Sequence, residues 1–271
     1  MNQKNLEYLK DQLKYTGFGE TFEAELKENI LKGDKDFIII HTGIMNNGVP
    51  NKDTLTVELN FKKSDQTDMY FFNSYHVNLQ KEGNKPGLEQ TFYINKDSSS
   101  ITMKEAYNLM EGRSVNKDLK NKEGELYNVW LKMDFKETAD SNGNFKLNHY
   151  HQNYGYDLEA SLSKHSIKEL ETPKFKEDLL SSLKKGNLQS VTFIVGGVES
   201  KQYVEANPQF KTLNVYDVNF QRINHRESKE EKKSESENQS VSKEQKKNID
   251  ADSDSEPENK KNNKKSKSHS I

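Results

Sequence analysis

The sequence predicts an α+β protein in which antiparallel sheets are covered by short helices, followed by a disordered C-terminal tail. Three observations support this prediction. Segments with apolar residues at helical spacing are short, and several other short segments alternate apolar and polar residues, as half-buried strands do. After Phe220 no aromatic residue remains, and the chain is almost entirely polar. These observations together describe a folded body and an unfolded end.

The tail is nearly neutral, whereas the body has more acidic than basic residues. Of 271 residues, 31% are apolar and 31% are charged. Residues 224–271 hold 12 basic and 11 acidic residues, which leaves 29 basic and 32 acidic residues for the body. A segment so poor in apolar residues cannot offset its ordering entropy, so we predict a disordered tail. The acidic body lacks the basic footprint of a duplex-binding protein.

Several classes of site and location are disfavoured by what the sequence lacks. Cysteine is absent, which excludes disulfides, thiolate nucleophiles and Cys-ligated metal centres. The first residues are charged and have no apolar signal-peptide core, and the longest apolar run is Phe37–Ile40. The glycines of Gly17–Gly19 follow a predicted helix and lack the Lys-Ser/Thr of a phosphate-binding loop. We therefore expect a cytoplasmic protein with no membrane span and no cofactor.

The first predicted unit, residues 1–98, is a helical hairpin followed by a β-meander. The apolar residues of its two helices recur at helical spacing: Leu6, Leu9 and Leu13 in the first helix, and Phe22, Leu26 and Ile30 in the second. Turn residues then separate four segments with strand character. These predicted strands are Phe37–His41, Thr54–Phe61, Met69–Leu79 and Gln90–Ile94.

The rest of the body reads as two copies of a unit with one helix and three strands, residues 99–156 and 157–223. Thr102 and Glu105 form a capping box for the first helix, and Gly112 ends it. Pro173 occupies the first turn of the second helix, and Gly186 ends that one. The predicted strands are Arg113–Leu119, Tyr127–Phe135 and Phe145–His151 in the first copy, and Gln189–Val195, Lys201–Ala206 and Thr212–Tyr216 in the second. We predict a duplicated αβββ unit.

Aromatic residues of the third predicted strand offer a candidate binding face. Strand alternation places Phe71 and Tyr75 in the core and points Tyr70 and Phe72 away from it. An exposed pair of rings could stack unpaired bases, although packing is the simpler explanation of such rings. Tyr154 and Tyr156, near the end of the first αβββ unit, pose the same choice between an interface and a capped corner.

Two histidines suggest a possible metal site. His149 and His151 are two residues apart on a predicted strand and therefore share a face, where Asp134 of the neighbouring strand could complete a divalent-metal site. A solvent-facing polar stripe is the simpler interpretation, because no third ligand is specified by a motif. We predict no metal, and both histidines remain candidate binding residues.

The remaining candidate binding residues are basic. Arg113 is the only arginine before Arg222, so the body has little capacity for bidentate phosphate or guanine contacts. The tail ends in a lysine-rich block that acts as a solubilising tether or gives weak, salt-sensitive contact with nucleic acid. Its candidate binding residues are Lys260, Lys261, Lys264 and Lys265.

Three segments of the body resemble an uncharacterised family carried by conjugative transposons, plasmids and prophages of Bacteroidetes-type bacteria. They are Glu7–Lys10 continuing through Thr16–Glu20, Lys63–Gln66 with Met69–Phe72, and Lys184–Val191. The family has no established catalytic residues to carry over. The resemblance implies a protein that travels on mobile DNA and serves transfer or blocks host defence.

We therefore expect a protein that is not an enzyme and acts by binding, because no catalytic set can be assembled from its motifs. The first hypothesis is an interaction protein of a mobile genetic element that inhibits a host defence nucleoprotein, of the anti-CRISPR type. Its partner would be a host protein or ribonucleoprotein. The alternatives are a single-stranded nucleic-acid-binding accessory for conjugation or replication, and a metal-dependent hydrolase centred on His149 and His151.

Overall fold

The computed structural model describes residues 2–44, 53–83, 87–95, 99–138 and 140–223. Within these ranges the chain forms five α-helices and ten strands, and the strands form three antiparallel sheets. The predicted α+β class is confirmed. No helix in the described ranges is long and apolar enough to cross a membrane. The predicted disordered tail lies outside the described residues, together with its four candidate lysines Lys260, Lys261, Lys264 and Lys265.

The N-terminal part is a helical hairpin on one face of a four-stranded meander. The helices are α1 (Gln3–Tyr15) and α2 (Glu23–Lys32), and the strands are β1 (Asp36–Ile44), β2 (Thr54–Lys63), β3 (Tyr70–Gln80) and β4 (Leu88–Tyr93). These strands form the first sheet in the order β1-β2-β3-β4. The leucines at helical spacing in α1 are buried against it, so the amphipathic pattern of the sequence sets which side of α1 meets the sheet.

Two αβββ units follow, as predicted. The first contains α3 (Met103–Met110), β5 (Ser114–Lys120), β6 (Leu126–Thr138) and β7 (Phe145–His151). The second contains α5 (Pro173–Lys184), β8 (Gln189–Val195), β9 (Val198–Asn207) and β10 (Thr212–Tyr216), after the short helix α4 (Leu158–Leu162). Each unit forms a three-stranded meander with its middle strand at the centre. The two units therefore share their topology.

The helices of the two units end in the same way. Gly112 and Gly186 have φ of +79° and +78° and follow α3 and α5 by two residues. In each case the next residue reaches back to the final turn: Arg113 N donates to Asn108 O at 2.9 Å, and Asn187 N donates to Ser182 O at 3.2 Å. This is the hydrogen-bond pattern of a Schellman cap, which glycine stabilises because it accepts positive φ without strain.

The second sheet contributes to two hydrophobic cores. Val129, Leu131 and Met133 of β6 pack on one face with the first sheet and helices α1 to α3. Trp130, between them in sequence, points to the opposite face and packs with α4, α5 and the third sheet. Because strand side chains alternate, one strand can serve both cores. The second sheet is thus the central layer of the folded part.

Because of a β-bulge in β3, its aromatic side chains before the bulge lie on the opposite faces from those predicted. Asn60 of β2 pairs with Ser74, but the next residue, Phe61, pairs with Phe72, so Asn73 is an extra residue in β3. The extra residue shifts the alternation by one position on one side of the bulge. Tyr70 and Phe72 are therefore buried in the core, while Phe71 is 40% exposed. The prediction that Tyr70 and Phe72 point away from the core is wrong.

Candidate functional site

The two candidate histidines lie on the exposed edge of the second sheet. Their rings are 6.0 Å apart, and they share a face of β7, as predicted. Burial lowers the pKa of His149 and the neighbouring His151 lowers it further. Asp134 pairs with Lys146, whereas His149 pairs with Leu131, so Asp134 points to the opposite face. The prediction that Asp134 could complete a metal site with these histidines is wrong. Within the described ranges no group of three or more acidic, histidine or cysteine residues could hold a metal ion.

The candidate arginine lies in a packed junction. Arg113 is buried, and its guanidinium donates to Asn108 Oδ1 from Nη2 at 2.7 Å and from Nε at 3.3 Å. Its guanidinium carbon lies 5.4 Å from the centre of the Tyr107 ring, a cation–π arrangement. These contacts hold the end of α3 against the start of β5. The structure thus gives Arg113 a packing role.

The tyrosines after β7 join the second sheet to the third. Tyr154 donates its hydroxyl to Gln209 O at 2.9 Å, and Lys211 Nζ lies 4.7 Å from the centre of the Tyr154 ring. Tyr156 donates to Thr212 O at 3.1 Å and packs against Trp130 with ring centres 5.3 Å apart. Burial raises the pKa of the Tyr156 hydroxyl. Of the two interpretations, these contacts favour tyrosines that pack a corner of the fold over tyrosines that form an interface.

A different surface, beside α1, has the shape of a binding site. Tyr8, Gln12 and Tyr15 recur at i, i+4 and i+7 and form a stripe on α1 separate from its buried leucines. This stripe lines two cavities of about 330 and 380 Å³, which share Tyr8, Gln12, Ile94 and Asn95 as walls. Each volume lies within the range of ligand pockets, about 300 to 1,000 Å³. We call this surface, formed by Tyr8, Gln12, Tyr15, Phe71, Ile94 and Asn95, the α1 groove.

The groove exists because β3 extends beyond its partner β4. Pairing between the two strands begins at Ser74 and Tyr93, so the first residues of β3 have α1 as their neighbour on that side. Asn5 of α1 takes the place of a neighbouring strand there. It accepts from Tyr70 N at 2.7 Å and donates to Tyr70 O at 2.9 Å. These two bonds fix α1 beside the sheet and leave the cavities between them.

The walls of the α1 groove combine exposed rings with amide groups. Tyr8, Tyr15 and Phe71 are 47%, 79% and 40% exposed. The Gln12 amide donates to the Tyr8 hydroxyl at 3.0 Å, and its Oε1 is buried without a hydrogen-bond partner within the described ranges. The groove therefore offers the contact area of exposed rings beside the Gln12 amide.

The described walls of the groove carry little positive charge. Among them Lys117 is the one lysine, and it donates to Glu105 Oε2 at 3.1 Å and to Ser100 O at 3.0 Å, so its charge is offset by a carboxylate. Asp11, on the exposed side of α1, adds a negative charge at the rim. A polyanion would gain little from this surface.

A second, more polar cleft of about 410 Å³ lies where β5 and β6 meet the end of α5. Lys184 and Lys185 are on its wall, together with the carboxylate of Asp118 and the Lys117–Glu105 pair. Asp118 is engaged by Asn128, which donates to it at 2.7 Å. The cleft mixes both signs of charge, and its described walls include no exposed ring, so the α1 groove is the stronger candidate.

The sequence predictions did not include the α1 groove. The spacing of Tyr8, Gln12 and Tyr15 was visible in the sequence, but only the leucine stripe of α1 was used to predict packing. Two aromatic residues and an amide on the solvent side of a helix are a signal that could have marked this surface.

The chain matches no protein-family model, and comparison with curated proteins and with solved structures finds no significant similarity. The resemblance to a family carried by mobile elements stays a prediction.

Proposed function

We propose that this chain is a non-catalytic binding protein that holds a segment of a partner protein in the α1 groove. The observation that carries the proposal is the stripe of Tyr8, Gln12 and Tyr15 beside two adjoining cavities. Tyrosine supplies contact area with little loss of side-chain entropy, and side-chain amides bond readily to peptide backbone. Such a surface suits a protein segment with apolar side chains.

The charge of the groove favours a protein partner over nucleic acid. Single-strand binding combines stacking rings with cations that track the phosphates. In the groove the Lys117 charge is offset by Glu105, and Asp11 is acidic. The nucleic-acid alternative also used Tyr70 and Phe72 as stacking rings, and both are buried. That alternative stays a prediction without support from this site, as does the hydrolase alternative.

The resemblance to a family of mobile-element proteins extends this proposal to a biological setting. In that setting the partner is a host protein or ribonucleoprotein, such as a CRISPR effector, and binding inhibits it. We place this action in the cytoplasm, a compartment with which the absence of cysteine is compatible. For a ribonucleoprotein partner, the groove would engage the protein component.

Site-specific photo-crosslinking in the producing cell tests the proposal. A photoreactive phenylalanine analogue replaces Tyr15, which is exposed on the groove, or Phe175, which is 55% exposed on α5 and serves as the matched control. We expect a discrete protein adduct from position 15 that the control position does not give. Adding Tyr8→Ala should reduce the yield of this adduct, because Tyr8 lines both cavities.

Two outcomes would contradict the proposal. The first is the same set of adducts from both positions, which would mean that the groove has no preferred partner. The second is an adduct at position 15 that nuclease digestion removes, which would favour the nucleic-acid alternative. Far-ultraviolet circular dichroism of each variant checks that the fold is retained.

A further inference from the structure

The first sheet ends in an open edge at β1. In the strand order β1-β2-β3-β4, β1 pairs with β2 over all nine of its residues, and no strand of the described ranges pairs with its other side. That side presents backbone N–H and C=O groups that can pair with another strand. β1 lies at the opposite edge of the sheet from β4, whose end borders the α1 groove.

The exposed face of β1 is unusually apolar for such an edge. Ile38, Ile40 and Ile44 are 51%, 59% and 71% exposed. Natural edge strands are commonly protected by lysine, proline, a bulge or a charge pointing inward. β1 pairs with β2 without a register shift, and its only Asp, Glu, Lys or Arg residue is Asp36, at its first position. Nothing in the strand itself discourages pairing.

We propose that a second copy of this chain occupies this edge, through antiparallel pairing of β1 with β1 about a twofold axis at Ile39. In this register Ile38 of each copy lies opposite Ile40 of the other. Asp36 lies opposite Thr42. The pairing joins two four-stranded sheets into one continuous sheet across the dimer.

The sequence of β1 fits a dimer centred on Ile39 better than a dimer whose register is shifted to centre on Ile40. Centring the pair on Ile39 sets Ile38 opposite Ile40 twice and the carboxylate of Asp36 opposite the hydroxyl of Thr42, with Ile44 beyond the paired residues. Centring it on Ile40 would instead set Ile38 opposite Thr42 and Asp36 opposite Ile44. The antiparallel direction also keeps the two Asp36 carboxylates at opposite ends of the interface, where their repulsion is weak.

The dimer would leave the α1 groove open in both copies, because the groove borders the other edge of the sheet. Two grooves on one particle raise the apparent affinity for a partner that presents two binding segments. Pairing through β1 does not depend on what the groove binds, so the two proposals can be tested separately.

Disulfide crosslinking of the full chain tests the register. The chain contains no cysteine, so Ile38→Cys and Ile40→Cys each introduce a single thiol. Oxidising a mixture of the two variants should give more covalent dimer than oxidising either alone, because directly opposite Cβ atoms lie about 5 Å apart and diagonal ones about 7 to 8 Å. Equal yields from the mixture and from each variant alone would overturn the proposed register.

Sedimentation equilibrium tests the dimer itself. We expect wild-type protein to show a concentration-dependent monomer–dimer equilibrium, and Ile40→Lys to raise its dissociation constant more than about ten-fold. Val198→Lys is the control, because Val198 is 69% exposed on the β8–β9 hairpin. It should leave the equilibrium unchanged. A wild-type chain that stays monomeric at every concentration, or a dimer that Ile40→Lys does not weaken, overturns the proposal.

Discussion

The side-chain amide of Asn108 donates to the backbone oxygen of Lys185 at 2.7 Å and so links the end of α3 to the end of α5. The same amide lies 3.0 Å from Asn187 Oδ1, and the Asn108 oxygen accepts from Arg113 at 2.7 Å. The capped ends of the two helices therefore meet through one buried asparagine.

Replacing that asparagine should destabilise the whole fold. Asn108→Ala removes the donor to the Lys185 oxygen and the 2.7 Å hydrogen bond from the buried Arg113 guanidinium, which keeps its contacts with Glu111 and the Tyr107 ring. Each hydrogen bond lost from a buried group costs about 1 to 3 kcal/mol. We expect the free energy of unfolding in urea to fall by about 3 kcal/mol. Asn29→Ala is the control, because the Asn29 side chain is only partly buried on α2 and its amide donates within its own helix, to Glu25 O at 2.9 Å. Equal effects of the two substitutions would contradict the packing role of Asn108.

The two capping glycines should differ in how strictly they are required. Both have positive φ, so alanine costs about 1 to 2 kcal/mol at either position. A Cβ at Gly186 would lie 2.9 Å from Val115 Cγ2 and 3.0 Å from Ser114 O, whereas one at Gly112 would meet only Phe135, at 3.4 Å. We expect Gly186→Ala to cost about 1 to 3 kcal/mol more than Gly112→Ala in urea unfolding.

Much of the fold followed from signals that are local in sequence. The stop glycines Gly112 and Gly186 and the alternating strands between turns identified both αβββ units. The bulge at Asn73 was not visible in the sequence. Apolar and polar residues alternate on both sides of it, so the sequence does not show where the alternation shifts by one residue. Its position depends on pairing with β2, which is a tertiary property.

The candidate site was harder to predict than the fold. Sequence spacing placed His149 and His151 on one face, but the face of Asp134 is set by its pairing with Lys146 across the sheet. Arg113 was a candidate binding residue in the sequence, whereas in the structure its guanidinium is enclosed by Asn108 and Tyr107. The spacing of Tyr8, Gln12 and Tyr15 could have marked the surface of α1, but the cavities beside it arise where β4 ends, which depends on strand pairing.

The bulge predicts opposite outcomes for two adjacent phenylalanines. Phe72 is 3% exposed and stacks on Phe61 with ring centres 5.0 Å apart, whereas Phe71 is 40% exposed. Phe72→Ala should lower the free energy of unfolding by about 3 to 5 kcal/mol, and Phe71→Ala by about 1 kcal/mol or less. Urea denaturation of both variants checks this. Regular alternation through β3 would give the reverse order.

The histidine pair predicts a loss of stability in mild acid. Burial, and then the neighbouring His151, lower the folded-state pKa of His149 below its ordinary value of 6.5. The unfolded chain therefore takes up a proton at a higher pH than the folded chain does. The contribution of His149 to the free energy of unfolding is present above about pH 6.5 and is lost as the pH falls from that value toward the folded-state pKa. We expect the melting temperature of the wild-type chain to fall between about pH 7.5 and 5.5, and that of His149→Gln to fall less. At about pH 7.5 His149 is largely neutral in both the folded and the unfolded chain, so the comparison there isolates the packing effect of the substitution from its effect on titration. A wild-type slope that His149→Gln leaves unchanged would show that this histidine is not the group responsible.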